Sequence, residues 1–244
     1  MRILLLGGTT EARRLAGLTA DDHEVTTSLA GRTSAPLRPA GDVRIGGFGG
    51  ADGLARYLVE QRIDVLVDAT HPFAAGISGN AGSAAAATGV PLLVVRRPGW
   101  TATPGDAWHR VASLEAAVAR LTGGRVFLTT GRQTIGAFAA RDDCWFLARS
   151  VEPPEPPLPR RLEVLLDRGP FTVAGERDLL LRHRIDVLVT KDSGGSDAKL
   201  VAARELGVPV LMIDRPPLPA AATVPTAEAA AAWLAQTAAG HSTP

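Results

Sequence analysis

The chain repeats itself, and this repeat restricts its fold more than any other feature. The segment Arg62–Val67 (Arg-Ile-Asp-Val-Leu-Val) recurs as Arg184–Val189, 122 residues later. Two further segments recur in the same order, at offsets of 118 and 123 residues: Gly89–Pro98 with Gly207–Pro216, and Arg2–Glu11 with Arg125–Thr134. Three matches at nearly one offset predict two halves with the same topology. The alternative is that α/β units resemble one another without common ancestry, and it leads to the same fold class.

Short, continuous runs of Val, Ile and Leu predict strands that are buried on both faces, as in parallel sheets. These strands are expected at residues 3–6, 24–29, 43–45, 65–68, 92–95, 125–128, 144–148, 171–173, 187–190 and 210–213. Helical patterns alternate with them at residues 11–18, 52–61, 74–88, 114–121, 133–140, 176–184, 198–206 and 227–238. The alternation predicts an α/β fold with two Rossmann-like, doubly wound parallel-sheet domains in tandem.

Proline and glycine cluster in Arg97–Asp106, where we place the domain boundary. The predicted domains are therefore 1–100 and 101–244. Exchange of strands between two such similar domains is compatible with the sequence. A second segment, Glu152–Pro159, is rich in proline and predicts a stiff, extended path that serves as a surface crossover or a lid.

Composition excludes several classes of function. The 244 residues carry a net charge of only +1 without a cluster of basic residues, so we expect no nucleic-acid partner. Cys144 is the single cysteine and the five histidines lack zinc-site spacing, so neither an intrachain disulfide nor a metal site is predicted. The sequence shows no signal-peptide pattern and no apolar run of bilayer length, so we expect a cytoplasmic protein without membrane association.

A glycine turn follows the first predicted strand. Gly7 and Gly8 let the backbone turn tightly, and Thr9 and Thr10 open the first helix. Helix-start N–H groups and hydroxyls bind phosphate, so this turn predicts a dinucleotide site although it is not the usual G-x-G-x-x-G. The alternative is an ordinary turn in which a threonine caps the helix.

The end of the second strand indicates which dinucleotide binds. An NAD site normally carries an acid there for the ribose 2′-hydroxyl, but this chain has Ser28, and Arg32 stands 24 residues after Gly8. A guanidinium pairs with a 2′-phosphate, so Ser28 and Arg32 predict NADPH as the cofactor. The alternative is that Arg32 is a solvated loop residue.

Thr70 and His71 follow the fourth strand, where a dinucleotide passes toward its nicotinamide. Pro72 keeps His71 extended, which can direct the imidazole into a cleft. There it could orient the cofactor amide, bind a carboxylate or donate a proton. The alternative is that His71 caps the next helix.

The second half has cationic residues at the matching strand ends. The turn that contains Thr130 and Arg132 has one glycine and an arginine, which suits a substrate carboxylate better than a pyrophosphate. After a later strand come Lys191, Asp192 and Ser193, followed by Gly194. This group predicts an anion-binding or proton-handling site, and the alternative is that Asp192 or Ser193 is a simple N-cap.

Together these segments resemble the precorrin-6A reductases of cobalamin biosynthesis. The segments that carry the resemblance are Gly7–Ala12, Ser28–Arg32, Arg44–Gly50, Asp68–Ala74, Thr130–Arg132 and Thr190–Gly195. The resemblance implies an enzyme that uses NADPH to reduce one double bond of the precorrin-6A macrocycle, giving precorrin-6B. It also implies two Rossmann-like domains that lack the usual glycine fingerprint and a polycarboxylate tetrapyrrole bound between them.

Such a reduction needs carboxylate clamps and a proton donor. We expect Arg132 and Lys191 to hold substrate carboxylates, and we consider Asp192 first and His71 second as donors. Two other readings remain: a different NADPH-dependent Rossmann reductase or epimerase, and a two-lobed small-molecule binding protein without catalysis.

Overall fold

The computed structural model describes residues 1–31 and 38–241, and this part of the chain forms two compact units. The first unit contains Met1–Pro98 and the segment from Pro216 onward, and the second contains Gly99–Arg215. Each unit has a six-stranded sheet in which the pairings are parallel. This confirms the predicted α/β class with two doubly wound parallel sheets.

The elements of the first unit are β1 (Arg2–Leu6), α1 (Thr10–Thr19), β2 (Glu24–Leu29), β3 (Asp42–Ile45), α2 (Gly50–Glu60), β4 (Val65–Asp68), α3 (Ala75–Thr88), β5 (Leu92–Val95), β12 (Ala222–Val224) and α7 (Ala227–His241). The strand order in its sheet is β12-β5-β4-β1-β2-β3. Strands β4 and β5 are buried along their whole length, which explains why they are apolar except for Asp68 at the end of β4. One sheet face packs with α1 and α7, and the other packs with α2 and α3.

The elements of the second unit are β6 (Trp108–Val111), α4 (Leu114–Arg120), β7 (Gly124–Leu128), a 3₁₀ helix (Arg132–Phe138), β8 (Cys144–Ser150), β9 (Leu162–Leu166), α5 (Val173–Arg182), β10 (Val187–Lys191), α6 (Ala198–Glu205) and β11 (Val210–Ile213). The strand order in its sheet is β6-β11-β10-β7-β8-β9. One sheet face packs with α5 and α6. Phe138 of the 3₁₀ helix contacts Phe146 of β8, with ring centroids 5.5 Å apart.

The sequence repeat is also a repeat of local structure. Arg62 and Arg184 both adopt a positive φ, 51° and 49° respectively, just before the next strand begins. The aspartate two residues later accepts a 2.7 Å hydrogen bond from the backbone N–H of an arginine: Asp64 from Arg2, and Asp186 from Arg125. The equivalent segments therefore make equivalent contacts, which supports two halves of one topology.

The two halves exchange their last strand and helix. After β5 the chain enters the second unit and forms its edge strand β6 beside β11, and after β11 it returns and places β12 beside β5. Helix α7 then packs against α1 in the first unit. The predicted assignment of residues 216–244 to the second domain is therefore wrong. Strand β12 joins the first sheet, and helix α7 packs on that sheet with α1. The crossing between Pro98 and Gly99 lies within the predicted boundary segment.

Three predictions about elements in the second half need correction. Residues 171–173 do not form a strand, because Thr172 caps α5 by accepting a hydrogen bond from the backbone N–H of Gly175. The strand beside β8 is β9 instead, and the edge strands β6 and β12 were not predicted. The helix expected at 133–140 is a 3₁₀ helix over Arg132–Phe138.

None of the helices in the described ranges is long and apolar enough to cross a bilayer.

Candidate functional site

The glycine turn after β1 presents bare backbone at the carboxyl edge of the first sheet. The N–H of Gly7 donates to the carbonyl of Ser28 at 2.9 Å, and a Cβ on Gly7 would lie 2.7 Å from the Thr27 methyl group. Gly8 has a φ of +110°, and a Cβ placed there would meet nothing within 4 Å. Gly7 thus lets β1 lie close to β2, and Gly8 leaves open space in front of the turn, as close approach of a phosphate requires.

Thr9 shapes this turn with its hydroxyl group. The Thr9 Oγ1 accepts a 3.1 Å hydrogen bond from the N–H of Ala12 and donates a 2.7 Å bond to the carbonyl of Ala69. Thr9 is buried and is the N-cap of α1, so the threonine cap that the alternative expected is present. This cap does not decide between an ordinary turn and a phosphate-binding turn, because its side chain leaves the exposed face of the turn open. Thr10 is exposed, so its hydroxyl is the one that lies on the surface of the turn.

The first turn of α1 carries a carboxylate that is not among the predicted site residues. Glu11 accepts hydrogen bonds of 3.1 and 3.0 Å from Arg97 Nη1, and both side chains are about three-quarters buried. Burial raises the pKa of Glu11, but its backbone hydrogen bond and Arg97 outweigh burial and leave that pKa below its ordinary value. Arg97 therefore compensates an ionised acid beside the glycine turn.

The end of β2 carries Ser28 next to Arg44 of β3. The Ser28 hydroxyl is buried and accepts a 2.9 Å hydrogen bond from Arg44 Nη1. Arg44 also donates to the carbonyls of Gly46 and Gly47, and its guanidinium carbon lies 3.8 Å from the Phe48 ring centroid. Arg32 lies outside the described residues. Arg44 therefore places a guanidinium at this sheet edge. The sequence prediction did not include Arg44 among the site residues, although Arg44–Gly50 is one of the segments that resemble the precorrin-6A reductases.

The end of β4 forms a side-chain-stabilised turn. The buried Asp68 Oδ1 accepts hydrogen bonds from the Thr70 N–H at 3.0 Å and the Thr70 hydroxyl at 2.6 Å. His71 Nδ1 accepts a 3.2 Å bond from the N–H of Phe73, so a neutral ring carries its proton on Nε2. Helix α3 begins at Ala75 without a side-chain cap, so capping by His71 is not observed.

In the second unit the matching turn is lined by side chains. Thr130 is buried, and its Oγ1 accepts a 2.8 Å hydrogen bond from the Thr134 hydroxyl. Gly131 has a φ of +89°, and Arg132 begins the 3₁₀ helix. Arg132 Nη1 lies 3.3 Å from a carboxylate oxygen of Glu152. This turn therefore offers a guanidinium where the first unit offers main-chain N–H groups.

Lys191 and Asp192 follow one another at the end of β10 but have different environments. Burial lowers the pKa of Lys191 below the value of a lysine in water. The buried Asp192 accepts 3.0 Å hydrogen bonds from the N–H of Trp100 and from Arg110 Nη2, and Arg215 Nη2 lies 3.8 Å from it. Both Asp192 oxygens act as acceptors, so this carboxylate holds neighbouring segments together.

The turn after Asp192 is set by the backbone. The Ser193 N–H donates to the Lys191 carbonyl at 2.7 Å, and Gly194 has a φ of +69°. Helix α6 begins at Ala198 with Asp197 at the N-cap position, so neither Asp192 nor Ser193 is the predicted N-cap. The N-cap alternative is therefore wrong, and the cationic strand end stays a candidate anion site.

These features define a tandem Rossmann-like α/β protein with a backbone-lined turn in one unit and cationic strand ends in the other. Residues 2–235 match the family model described as precorrin-6x reductase CbiJ/CobK, and the chain belongs to this family. This confirms the resemblance drawn from the sequence.

Two curated relatives and one solved structure illustrate the similarity. The precorrin-6A reductase of Rhodococcus erythropolis is 55% identical over 240 residues, which cover 96% of this chain and 97% of the relative. That of Mycobacterium tuberculosis (strain ATCC 25618 / H37Rv) is 51% identical with the same coverage. A solved structure described as CobK precorrin-6A reductase superposes with a TM-score of 0.89 at 48% identity, covering 97% of this chain and 96% of that one.

Proposed function

We propose that the protein is an NADPH-dependent precorrin-6A reductase, which reduces one double bond of the macrocycle to give precorrin-6B in cobalamin biosynthesis. The observation that carries the proposal is the 55% identity to the Rhodococcus erythropolis precorrin-6A reductase over almost the full length of both chains. The bare glycine turn of one unit and the cationic strand ends of the other support it with independent chemistry.

The residues of the first unit fit the cofactor. The open space at Gly8 and the start of α1 suit the pyrophosphate, with the Thr10 hydroxyl as an exposed donor and Gly7 and Thr9 holding the turn. Ser28 and Arg32 are proposed for the ribose 2′-phosphate.

The nicotinamide half of the cofactor is proposed to bind at the end of β4. Thr70 and His71 are proposed for the nicotinamide side, because this strand lies next to β1 at the same sheet edge. When bound, NADPH supplies the hydride for the reduction.

The residues of the second unit fit a substrate with acetate and propionate side chains. Arg132 and Lys191 are proposed to bind carboxylates, and the Ser193 hydroxyl and the Gly194 backbone complete the anion site. The Thr130 hydroxyl is turned inward to Thr134, so its proposed role is to hold the turn that presents Arg132. Fixed carboxylates align the macrocycle, and alignment is a large part of such catalysis.

Reduction of the double bond adds a hydride to one carbon and a proton to the neighbouring carbon. We propose Lys191 as the donor of this proton, with His71 Nε2 as the second candidate. Burial lowers the pKa of Lys191, so this residue releases its proton more readily than a lysine in water does. Asp192 is less suited, because both its oxygens already accept hydrogen bonds. Its proposed role is to position Lys191 by fixing the strand end.

An anaerobic assay with purified protein, precorrin-6A and NADPH tests the function directly. We expect nicotinamide absorbance to fall in step with formation of precorrin-6B, and a much slower fall with NADH. A two-lobed binding protein would leave the absorbance unchanged, and this result would contradict the proposal.

Arg32 tests the cofactor assignment. We expect Arg32→Ala to weaken NADPH binding by roughly 1.5–3 kcal/mol, the size of a charged hydrogen bond, and to leave NADH binding nearly unchanged. Fluorescence titration with both cofactors measures the two affinities. An equal loss for NADPH and NADH would show that Arg32 does not bind the 2′-phosphate.

A further inference from the structure

The proline-rich segment Glu152–Pro159, here called the proline strap, lies against the 3₁₀ helix of the second unit. At its start, the Ser150 hydroxyl donates a 2.7 Å hydrogen bond to the carbonyl of Glu152. Further along, the carbonyl of Pro157 lies so close to Gly136 that a Cβ there would be 3.0 Å away. The strap is thus fixed against the helix whose first residue is Arg132.

Two acidic residues of the proline strap face this guanidinium. Arg132 Nη1 lies 3.3 Å from Glu152 Oε2 and 3.8 Å from Glu155 Oε1. The exposed fractions of the side chains differ strongly: 28% for Arg132, 22% for Glu152 and 86% for Glu155. Solvent therefore screens the attraction of Glu155 for Arg132 far more than that of Glu152.

We propose that Glu152 is an internal competitor for Arg132 and thereby sets how tightly the enzyme binds a carboxylate-bearing macrocycle. Glu152 presents to Arg132 the same functional group that the substrate would present, so a bound substrate exchanges one carboxylate for another on the same guanidinium. The inference rests on the proposed role of Arg132 as a carboxylate clamp.

The competition has a measurable consequence. A ligand's apparent affinity equals its intrinsic affinity multiplied by the fraction of time for which its partner group is accessible. A partly shielded ion pair keeps the guanidinium occupied most of the time, so removing the Glu152 charge strengthens substrate binding by roughly three- to tenfold. The exchange also selects ligands: a macrocycle without a carboxylate at this position gains nothing from displacing Glu152.

The experiment measures equilibrium binding of uroporphyrin III, a stable macrocycle with acetate and propionate side chains, by the anisotropy of its fluorescence. We expect Glu152→Gln to tighten binding by roughly three- to tenfold, and the matched variant Glu155→Gln to change it by less than about twofold. In the Arg132→Gln background, Glu152→Gln is expected to change binding by no more than the matched Glu155→Gln variant does, because no guanidinium remains to compete for and only general charge repulsion is removed. With precorrin-6A, Glu152→Gln is expected to lower KM while kcat stays within about twofold.

Weaker binding by Glu152→Gln would overturn the proposal and identify Glu152 as a residue that orients Arg132 toward the substrate. Unchanged binding would overturn it as well. If Glu152→Gln does not fold, as judged by its thermal unfolding midpoint, Glu152→Asp replaces it, since a shorter carboxylate reaches Arg132 less well and should tighten binding to a smaller degree.

The binding measurement also separates this inference from the proposed function. Anisotropy needs no turnover, so a wild-type enzyme that fails to reduce precorrin-6A would contradict the function and still report on Glu152. If the wild type and Arg132→Gln bind uroporphyrin III equally well, Arg132 does not bind a ligand carboxylate. This result would overturn the inference about Glu152, whatever the activity assay gives.

Discussion

The two Rossmann-like units share one topology but differ at the turn after their central strand. Gly8 and Gly131 are equivalent, 123 residues apart, and both have a positive φ. The next residue is Thr9 in the first unit, which caps a ten-residue α-helix, and Arg132 in the second, which begins a seven-residue 3₁₀ helix. One turn therefore offers main-chain N–H groups to an anion and the other offers a guanidinium, so similar backbones suit different acidic ligands.

The ends of the second strands differ in the same way. In the first unit, Ser28 and a half-buried Arg44 lie at this edge. In the second unit, Arg149 pairs at 2.7 Å with Glu176, both almost fully buried, and the guanidinium lies 3.6 Å from the Phe171 ring centroid. At the end of its second strand, the second unit therefore has packed side chains. The first unit would place the ribose of a dinucleotide at the equivalent position.

The largest effect is expected from breaking this buried pair. Arg149→Met leaves Glu176 buried without a countercharge and should lower the free energy of unfolding by roughly 3–5 kcal/mol. The control is Arg2→Met in the exposed Arg2–Glu24 pair, with an expected loss below about 1 kcal/mol. Urea unfolding measures both. Similar losses would mean that the Arg149–Glu176 pair does not pack the second unit as described.

The strand ends provide the next test, through Lys191. We expect Lys191→Met to lower kcat by roughly 10²–10³-fold, because it removes the proposed proton donor and a carboxylate contact. Lys199, the other lysine of the chain, lies with its Nζ 4.3 Å from the Trp100 ring centroid and gives the matched control Lys199→Met. Steady-state kinetics should show little change in kcat for that control. Retention of kcat by Lys191→Met would exclude Lys191 as donor and leave His71 as the candidate.

The pH dependence of kcat sharpens the same test. A proton donor must be protonated, so kcat should fall as the pH rises through the pKa of Lys191, which burial places below that of a free lysine. Lys191→Arg keeps the charge but does not release a proton, so the alkaline fall should disappear while kcat stays low. An unchanged alkaline limb in Lys191→Arg would assign it to another group.

The two equivalent glycines give a smaller but more selective effect. A side chain at either position strains a positive φ, so Gly8→Ala should weaken NADPH binding by about tenfold and leave uroporphyrin III binding unchanged. Gly131→Ala should do the reverse, because it disturbs the turn that presents Arg132. Paired titrations of both variants with both ligands test this, and loss of the same ligand in both would remove the division of roles.

The sequence predicted the parts of this fold that depend on local pattern. Strands such as Ile3–Leu6 and Leu92–Val95 are predicted correctly because buried parallel strands are continuously apolar. The three-residue β12 was missed because it is short and follows prolines, and the exchange of β12 and β6 could not be read because a linear pattern does not say which sheet a strand joins.

In the candidate site, too, the sequence predicts what depends on local pattern and misses what depends on long-range contacts. The strand-end turns were located correctly, but the partners that define their chemistry are distant in sequence. Arg97 reaches Glu11 across 86 residues, and Arg110 reaches Asp192 across 82. Pairing of this kind depends on tertiary structure, so Asp192 looked like a proton donor in the sequence, whereas the structure surrounds it with hydrogen-bond donors.

A crystal structure of the protein with NADP⁺ tests the division of roles between the two units most directly. We expect the pyrophosphate at the Gly7–Thr10 turn and the 2′-phosphate near Ser28. Nucleotide density at the Thr129–Arg132 turn, or none at the first unit, would contradict the account.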